Sequence, residues 1–347
     1  MSQAPMGYRE HPLQAVSRGR ESLPLIPDDQ TPPEFPWGCF PGGKERLKRS
    51  IGLRLYPLMN RLTRSSTESK LREIGVDLNR EPKPTSLSYG KKGTSIEIFL
   101  SRLARVAGTG CSFASFGCGM GQEFLSVAKY LRPRSIIGYE FFNYRRAWGF
   151  VAERVLREYG IPVTFVQVDL RQRFVPKHDP VEILYSSAVL EHLRDMDESF
   201  AIVRPLMRPD GWFAAQWGPM WYSFSGDHIA AELGNDFGFE HVRLSADDYL
   251  KFYREHPRNR DTVARGEPTW LELGLSNFAR YDEYIDSIQS HFGRIQRMHW
   301  QVSTEAFEWR SRRRGDWDEM LAKNSAIGPL DLVLQQADVI ARSETKD

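Results

Sequence analysis

The stretch SFASFGCGMGQEFLSVAKYL, residues 112–131, decides the fold class. Its first five residues are apolar or small and predict a buried strand, whereas residues 121–131 carry apolar side chains at the spacing of a helix face. Between these elements lie Gly117, Gly119 and Gly121. Glycine accepts the positive φ angles of a sharp turn and leaves room for a ligand against the backbone. The helix that follows offers free N–H groups to an anionic part of that ligand.

Beyond Gly108 the chain alternates short apolar runs with helical segments, the pattern of βαβ units around a parallel sheet. The predicted strands are 112–116, 135–139, 163–168, 181–185, 212–216, 295–302 and 337–342. The predicted helices are 121–131, 145–159, 200–207 and 281–292, with another over 95–106 before the first strand. Right-handed crossovers stack such units into a doubly wound α/β fold with a mostly parallel sheet of seven strands.

The glycine turn does not match either of two familiar nucleotide-binding motifs. A dinucleotide site uses G-x-G-x-x-G, and the position of the third glycine is Gln122 here. A phosphate-binding P-loop needs a lysine followed by serine or threonine, and the turn contains no such pair. The turn alone is therefore weak evidence, and its meaning depends on the strand ends that follow.

Two acidic residues end the next two predicted strands. Glu140 follows Gly121 by 19 residues, at a place where a carboxylate can accept hydrogen bonds from both hydroxyls of a ribose. Asp169 ends the third strand, where it can accept a hydrogen bond from an adenine amino group. Either residue alone is more simply a surface acid. Because ligands of open α/β sheets bind at the carboxyl ends of the strands, the pair favours a nucleoside-binding cleft.

Five sequence blocks together resemble the class I S-adenosylmethionine-dependent methyltransferase family. They are FASFGCGMG, IIGYE, VQVD, ILYSSAVLEHLRD and LMRPDGWFAAQWGP, which occur in this order between about residues 110 and 220. The set is specific, although no single block is. The resemblance implies a Rossmann-like sheet, S-adenosyl-L-methionine as the cofactor, and in-line transfer of its methyl group. That chemistry requires no metal.

The resemblance also assigns residues to parts of the cofactor. The glycine turn would line the methionine part, Glu140 the ribose and Asp169 the adenine. The stretch after the fourth strand would lie beside the sulfonium, and Phe141 and Phe142, which follow Glu140, could pack on the adenine. The cofactor-binding residues that the resemblance implies are Ser115, Gly117, Gly119, Gly121, Glu140, Phe141, Asp169, Leu170, Ser186 and Ser187.

Ser115 departs from the family pattern, which usually has an acid two residues before the first glycine. That acid typically helps to position the amino group of the cofactor, directly or through water. Serine can form a hydrogen bond but carries no charge, so Glu123 and Glu191 are candidate substitutes. The same departure leaves open a degenerate, non-catalytic domain.

An aromatic loop, WGPMWYSFSGDH over residues 217–228, leaves the fifth predicted strand at its carboxyl end. It should lie over the methyl group, where its rings could form a platform for a flat or sugar acceptor. His228 and Tyr222 are the candidate catalytic residues, since either could take a proton from an acceptor hydroxyl. His192 has two interpretations: a general base that titrates near neutral pH, or, as the resemblance implies and we favour, a packing residue that orients its loop.

The chain divides into five predicted segments. Residues 1–43 form a proline-rich arm, for which an extended chain packed on the body and disorder are both open. Residues 44–108 form a helical, basic N-terminal cap, 109–217 the cofactor-binding core, and 218–276 a lid or acceptor-site insertion after the fifth strand. Residues 277–347 complete the core with its closing strands.

Two basic stretches raise the question of a polyanionic partner. In residues 44–72 cations lie opposite an apolar helix face, which is typical of a solvated helix and, alternatively, of a cap that guides an anionic acceptor. Residues 310–314 carry four arginines near tryptophans, but acids surround them. A solvated helix face is therefore favoured there over nucleic-acid binding.

The composition, 41% hydrophobic and 27% charged over 347 residues, is typical of a soluble globular protein. The formal net charge of +2 gives no bulk attraction for polyanions. Three cysteines cannot all pair with one another and lack the spacing of a zinc site; with no secretory signal, they predict a reducing, cytoplasmic setting. No run of about 18 apolar residues predicts a membrane helix.

The sequence thus predicts a methyltransferase acting on an O or N atom of a small molecule or glycan, with no nucleic-acid partner and an undetermined oligomeric state. An RNA or protein methyltransferase, motivated by the basic residues 44–72, is the alternative within the enzyme class. A non-catalytic scaffold with the cofactor-binding fold, motivated by Ser115, is the alternative outside it.

Overall fold

The computed structural model describes residues 58, 61–79, 81, 84–90, 95–169 and 172–343. Residues 61–73 are helical (α1) and belong to the predicted basic cap. The described residues do not include the predicted proline-rich arm or residues 44–57 of the predicted cap. They also do not include the cofactor-binding candidate Leu170.

One eight-stranded sheet organises the described chain. The strands are β1 (Ser86–Gly90), β2 (Ser112–Phe116), β3 (Ser135–Glu140), β4 (Val163–Gln167), β5 (Val181–Ser187), β6 (Met207–Trp217), β7 (Arg294–Ser303) and β8 (Leu334–Arg342). Their spatial order is β1-β7-β8-β6-β5-β2-β3-β4. All neighbouring strands are parallel except that β8 runs antiparallel to β6 and β7. The carboxyl ends of β2, β3, β4, β5 and β6 therefore lie along one edge of the sheet.

Helices cover both faces of this sheet. After α1 they are α2 (Ile96–Ala107), α3 (Phe124–Leu131), α4 (Arg145–Tyr159), α5 (Met196–Val203), α6 (Glu240–Arg243), α7 (Ala246–Glu255), α8 (Pro257–Ala264), α9 (Tyr281–Phe292), α10 (Thr304–Arg312), α11 (Arg314–Lys323) and α12 (Pro329–Val333). Alternate strand residues point to opposite faces. Phe113 and Ile183 pack with α2, α3 and α4, whereas Phe116 and Phe213 pack with α5 and α9. Burying one such side chain contributes about 1.5–3 kcal/mol of transfer free energy.

The sheet has eight strands, and the predicted number of seven is wrong. The additional strand is β1, which lies within residues 44–108, the predicted helical cap. Its sequence, SLSYG, is short and mostly polar, so it contains no apolar run that would predict a strand. Its backbone pairs in parallel with β7, from Ser86 opposite His299 to Gly90 opposite Ser303. Because β7 lies more than 200 residues further along the chain, the local sequence pattern around β1 does not reveal this pairing.

Residues 218–276 fold beside the carboxyl end of β6. They contain α6, α7 and α8 and short 3₁₀ turns, and begin at a cis peptide bond between Gly218 and Pro219. This segment has a small apolar cluster of its own, formed by Trp221, Ile229, Tyr249, Tyr253 and Leu271. Within the described part of the chain, no helix has the length and apolar character needed to cross a bilayer.

Candidate active site

The glycine turn joins β2 to α3 with three residues in the left-handed region. The φ angles are 67° at Gly117, 53° at Gly119 and 76° at Gly121, values that glycine tolerates best. A Cβ at Gly117 would lie 2.3 Å from Val189, and one at Gly121 would lie 2.5 Å from Phe165. A Cβ at Gly119 would meet no atom within 4 Å. Packing thus requires the first and third glycines, whereas the middle one faces open space.

Glu140, the last residue of β3, ties the glycine turn to the neighbouring strand. Its Oε2 accepts a hydrogen bond from the Gly119 N–H at 2.6 Å, and its Oε1 accepts from the N–H groups of Phe141 and Phe142 at 2.9 and 3.0 Å. The Phe141 ring packs edge-on against Phe142, with centroids 5.1 Å apart. Burial raises the pKa of the Glu140 carboxyl, and the three N–H groups oppose that shift. A carboxylate has about four lone-pair sites, so it can still accept from another donor.

Trp148 of α4 holds the other side of the glycine turn. Its indole Nε1–H donates to the Gly119 carbonyl at 2.9 Å. Its ring stacks on Phe165, with centroids 5.2 Å apart and planes 5° apart. Gly119 is thereby fixed through both its N–H and its C=O. Sequence analysis missed Trp148, because nothing in the pattern of a regular helix indicates a hydrogen bond to a loop 29 residues earlier.

The end of β4 lies beside the end of β3. Glu140 pairs with Gln167, and the Val168 N–H donates to the Glu140 carbonyl at 2.8 Å. Asp169 is half-buried two residues beyond the strand, and its carboxylate accepts from the Gln172 side-chain amide at 3.3 Å. The glycine turn, Glu140 and Asp169 therefore lie at the carboxyl ends of three neighbouring strands.

The three serines of the predicted cofactor site have different surroundings. Ser115 is buried within β2. The Ser186 hydroxyl is also buried and donates to the Phe116 carbonyl at 3.2 Å, so its proton is directed into the protein. Ser187, the last residue of β5, interacts with the Glu123 carboxylate at the start of α3. Ser186 and Ser187, which the sequence analysis placed together beside the sulfonium, thus have different hydrogen-bond partners.

The two candidate substitutes for the missing acid at position 115 differ in their hydrogen-bond partners. Glu123 accepts a hydrogen bond from the Tyr185 hydroxyl at 3.0 Å; burial raises its pKa, and its hydroxyl partners oppose the rise. Glu191 is buried, its Oε1 accepts from the Gly218 N–H at 3.2 Å, and burial raises its pKa to about 8. Glu191 is therefore mostly protonated at pH 7 and supplies little negative charge. Glu123 is the better candidate.

His192 and His228 face each other after the carboxyl ends of β5 and β6. Their ring centroids are 5.2 Å apart, with an interplanar angle of 30°. Trp270 lies edge-on to His192 at 5.4 Å and is 53% exposed. Burial lowers the pKa of both imidazoles, that of His228 to about 4. Both rings are therefore neutral at pH 7. Sequence analysis missed Trp270, which no motif marks.

Only one neutral tautomer of His192 fits its surroundings. Its Nδ1 lies 2.7 Å from the Leu275 carbonyl, and because a carbonyl can only accept, Nδ1 carries the proton. In the neutral ring the lone pair is then on Nε2. The Asn277 side-chain amide holds the same turn by donating to the carbonyls of Leu190 and Leu193 at 3.1 and 2.8 Å. The residue we favoured as a packing residue thus also carries a basic nitrogen.

His228 has a left-handed backbone, with φ at 66°, a conformation that costs a residue with a side chain about 1–3 kcal/mol. Asp227 stabilises this turn: its Oδ1 accepts from the N–H groups of Ile229 and Ala230 at 3.2 and 3.1 Å, and its Oδ2 accepts from the Tyr249 hydroxyl at 2.8 Å. Within the described residues, neither ring nitrogen of His228 has a hydrogen-bond partner.

Tyr222, the second catalytic candidate, has a different environment. Burial raises the pKa of its hydroxyl above the ordinary value, and the nearby carboxylates of Glu283 and Asp331 raise it further. A phenol with a raised pKa keeps its proton at pH 7 and is a poor general base. His228 is therefore the stronger of the two candidates for proton removal.

Comparison with known proteins identifies the central region. A family model described as a methyltransferase domain matches residues 114–215, which run from β2 through most of β6. The structure of an S-adenosylmethionine-dependent methyltransferase from Mesorhizobium loti is 18% identical, with a TM-score of 0.41 over 72% of this chain and 98% of that one. A geranyl diphosphate C-methyltransferase from Streptomyces coelicolor A3(2) is 12% identical, with a TM-score of 0.40 over 71% of this chain and 79% of that one. No curated protein sequence matches the chain.

Proposed function

We propose that this chain, which belongs to the class I S-adenosylmethionine-dependent methyltransferase family, transfers the methyl group to an oxygen or nitrogen of a small molecule or glycan. The observation that carries this proposal is the pair of neutral imidazoles, His192 and His228, beside the exposed Trp270. They lie on the same edge of the sheet as the cofactor-binding candidates. Residues 218–276, which carry His228, are the proposed lid over the acceptor.

The glycine turn and the neighbouring strand ends fit the cofactor of this family. The open space at Gly119 leaves room for a ligand against the backbone. Glu140 retains acceptor capacity for ribose hydroxyls, and Asp169 lies at the next strand end. We assign the cofactor to the glycine turn and these two acids, with Phe141 against the adenine and Glu123 near the amino group.

When bound, S-adenosyl-L-methionine supplies an electrophilic methyl group on a sulfonium, and its transfer leaves a neutral thioether. The leaving group therefore needs no protonation, and the protein has to align the acceptor and, where the acceptor is a hydroxyl, remove its proton. His228 accepts that proton on its unprotonated ring nitrogen. A base with a pKa of about 4 suffices, because a hydroxyl that is gaining a methyl group becomes strongly acidic. Trp270 offers an aromatic face for a planar or sugar ring.

Gly119→Ala tests the proposed cofactor position, with Gly160→Ala as a matched control. Both glycines have positive φ, 53° and 70°, and at neither would a Cβ meet an atom within 4 Å. We expect each variant to lose about 1–2 kcal/mol of stability from backbone strain. Only Gly119→Ala should also weaken S-adenosyl-L-homocysteine binding in calorimetry, by about tenfold or more, because its methyl group enters the proposed cleft. Equal affinities in the two variants would argue against this cleft.

The lowered pKa of His228 predicts how stability changes with pH. The imidazole titrates near its ordinary pKa of 6.5 in the unfolded chain and near 4 in the folded protein. Between these values the unfolded state binds more protons, so the free energy of unfolding falls as the pH is lowered from 6.5 to 4. Urea unfolding at pH 7 and pH 4.5 should show a smaller loss for His228→Asn than for the wild type. Identical losses in both proteins would mean that His228 titrates normally.

A further inference from the structure

A cavity lies between α1, α2 and the outer strands β1, β7 and β8. Its volume is about 460 Å³, and its lining contains no residue of the glycine turn. The charged side chains that line it are five arginines and one acid: Arg61, Arg64, Arg102, Arg105, Arg297 and Asp338. The cavity therefore has a strong excess of positive charge.

Acids of the described chain compensate only part of this charge. Arg102 lies 3.7 Å from Asp338, and Arg64 lies 2.8 Å from Glu68, its neighbour on α1. Within the described residues, no acid forms an ion pair with Arg61, Arg105 or Arg297. Like charges around one cavity repel one another, and a bound anion removes that repulsion.

The floor of the cavity is polar as well. Asp338, His299 and Ser86, which line the cavity, lie opposite one another in register across β8, β7 and β1, and Gln216 of β6 lies beside Asp338. The Gln216 amide donates to Asp338 at 2.9 Å, and the Ser86 hydroxyl bonds to His299 Nδ1 at 2.8 Å. Burying these four polar side chains costs free energy unless each of them is hydrogen-bonded. These groups are hydrogen-bonded within the sheet, so the arginines supply the donors for a ligand.

We propose that this cavity binds a small organic molecule that carries phosphate groups. Arginine presents a planar fork of N–H donors that matches the oxygens of a phosphate. The volume of about 460 Å³ is that of a small-molecule site, which typically encloses roughly 300–1,000 Å³. A compact, partly open cavity of this size suits a small ligand better than a polynucleotide, which needs an extended groove. The site is separate from the proposed methyl-transfer centre.

The test is calorimetric titration of the full-length protein with inorganic diphosphate at low salt. We expect saturable binding that weakens as salt increases. The double variant Arg105→Ala/Arg297→Ala should bind about tenfold more weakly or worse, because it loses two charge-assisted contacts. Both side chains are exposed and have no acid partner within the described residues, so the fold should persist. S-adenosyl-L-homocysteine affinity should be unchanged in the variant.

The control is Arg157→Ala/Arg265→Ala, which removes the same net charge at exposed positions outside the cavity. It should bind diphosphate as the wild type does. An equal loss in both double variants would show bulk charge attraction and overturn the proposal. So would the absence of heat at millimolar diphosphate, or tight binding of a single-stranded RNA that diphosphate fails to displace.

Discussion

Glu140→Ala is expected to weaken S-adenosyl-L-homocysteine binding by about a hundredfold or more. The substitution removes the acceptor proposed for the ribose hydroxyls. It also leaves the N–H groups of Gly119, Phe141 and Phe142 without the carboxylate that they donate to. Each buried N–H left unpaired costs about 1–3 kcal/mol, so the glycine turn should also loosen. Calorimetry measures the affinity, and circular dichroism shows whether the variant is folded.

Two further variants make this result specific. Glu153→Ala removes an exposed glutamate of α4 and should leave the affinity unchanged. Glu140→Gln keeps the shape of the side chain and one acceptor oxygen, so its loss should lie between those of the wild type and the alanine variant. A folded Glu140→Ala protein with wild-type affinity would remove Glu140 from the cofactor site.

His228→Asn is expected to lower kcat by about 10²–10⁴ on a hydroxyl acceptor, the usual contribution of a general base. Asparagine tolerates positive φ better than most residues, so the turn at 66° should keep its shape. Cofactor affinity should not change, because the proposed cofactor contacts lie at the other strand ends. The acceptor can be found by incubating the enzyme with methyl-labelled S-adenosyl-L-methionine and panels of phenols, sugars and amines.

The matched control for this variant is His291→Asn on α9. His291 interacts with Asp197 at 3.2 Å and belongs to no part of the proposed site. It should retain wild-type kcat. If His228→Asn is as active as His291→Asn on a hydroxyl acceptor, His228 does not accept the proton. The basic Nε2 of His192 is then the next group to test in the same assay.

Local sequence pattern predicted most elements of the core. The helix predicted over 145–159 is α4, with the same bounds, and the helix predicted over 281–292 is α9. Helices and buried strands repeat their apolar residues with the period of their own geometry, so a short stretch carries this information. The glycine turn, Glu140 and Asp169 could be identified for a similar reason, because each lies at the end of a strand that the sequence predicts.

Contacts between distant segments were decided only by the tertiary structure. β1 was missed because its stability comes from β7. The hydrogen bond from Trp148 to Gly119, the facing rings of His192 and His228, and the arginine-lined cavity likewise join residues from separate elements. Such contacts depend on strand order and helix packing, which minimise the free energy of the whole chain. A local pattern records which face of an element is buried but not which residues it meets there.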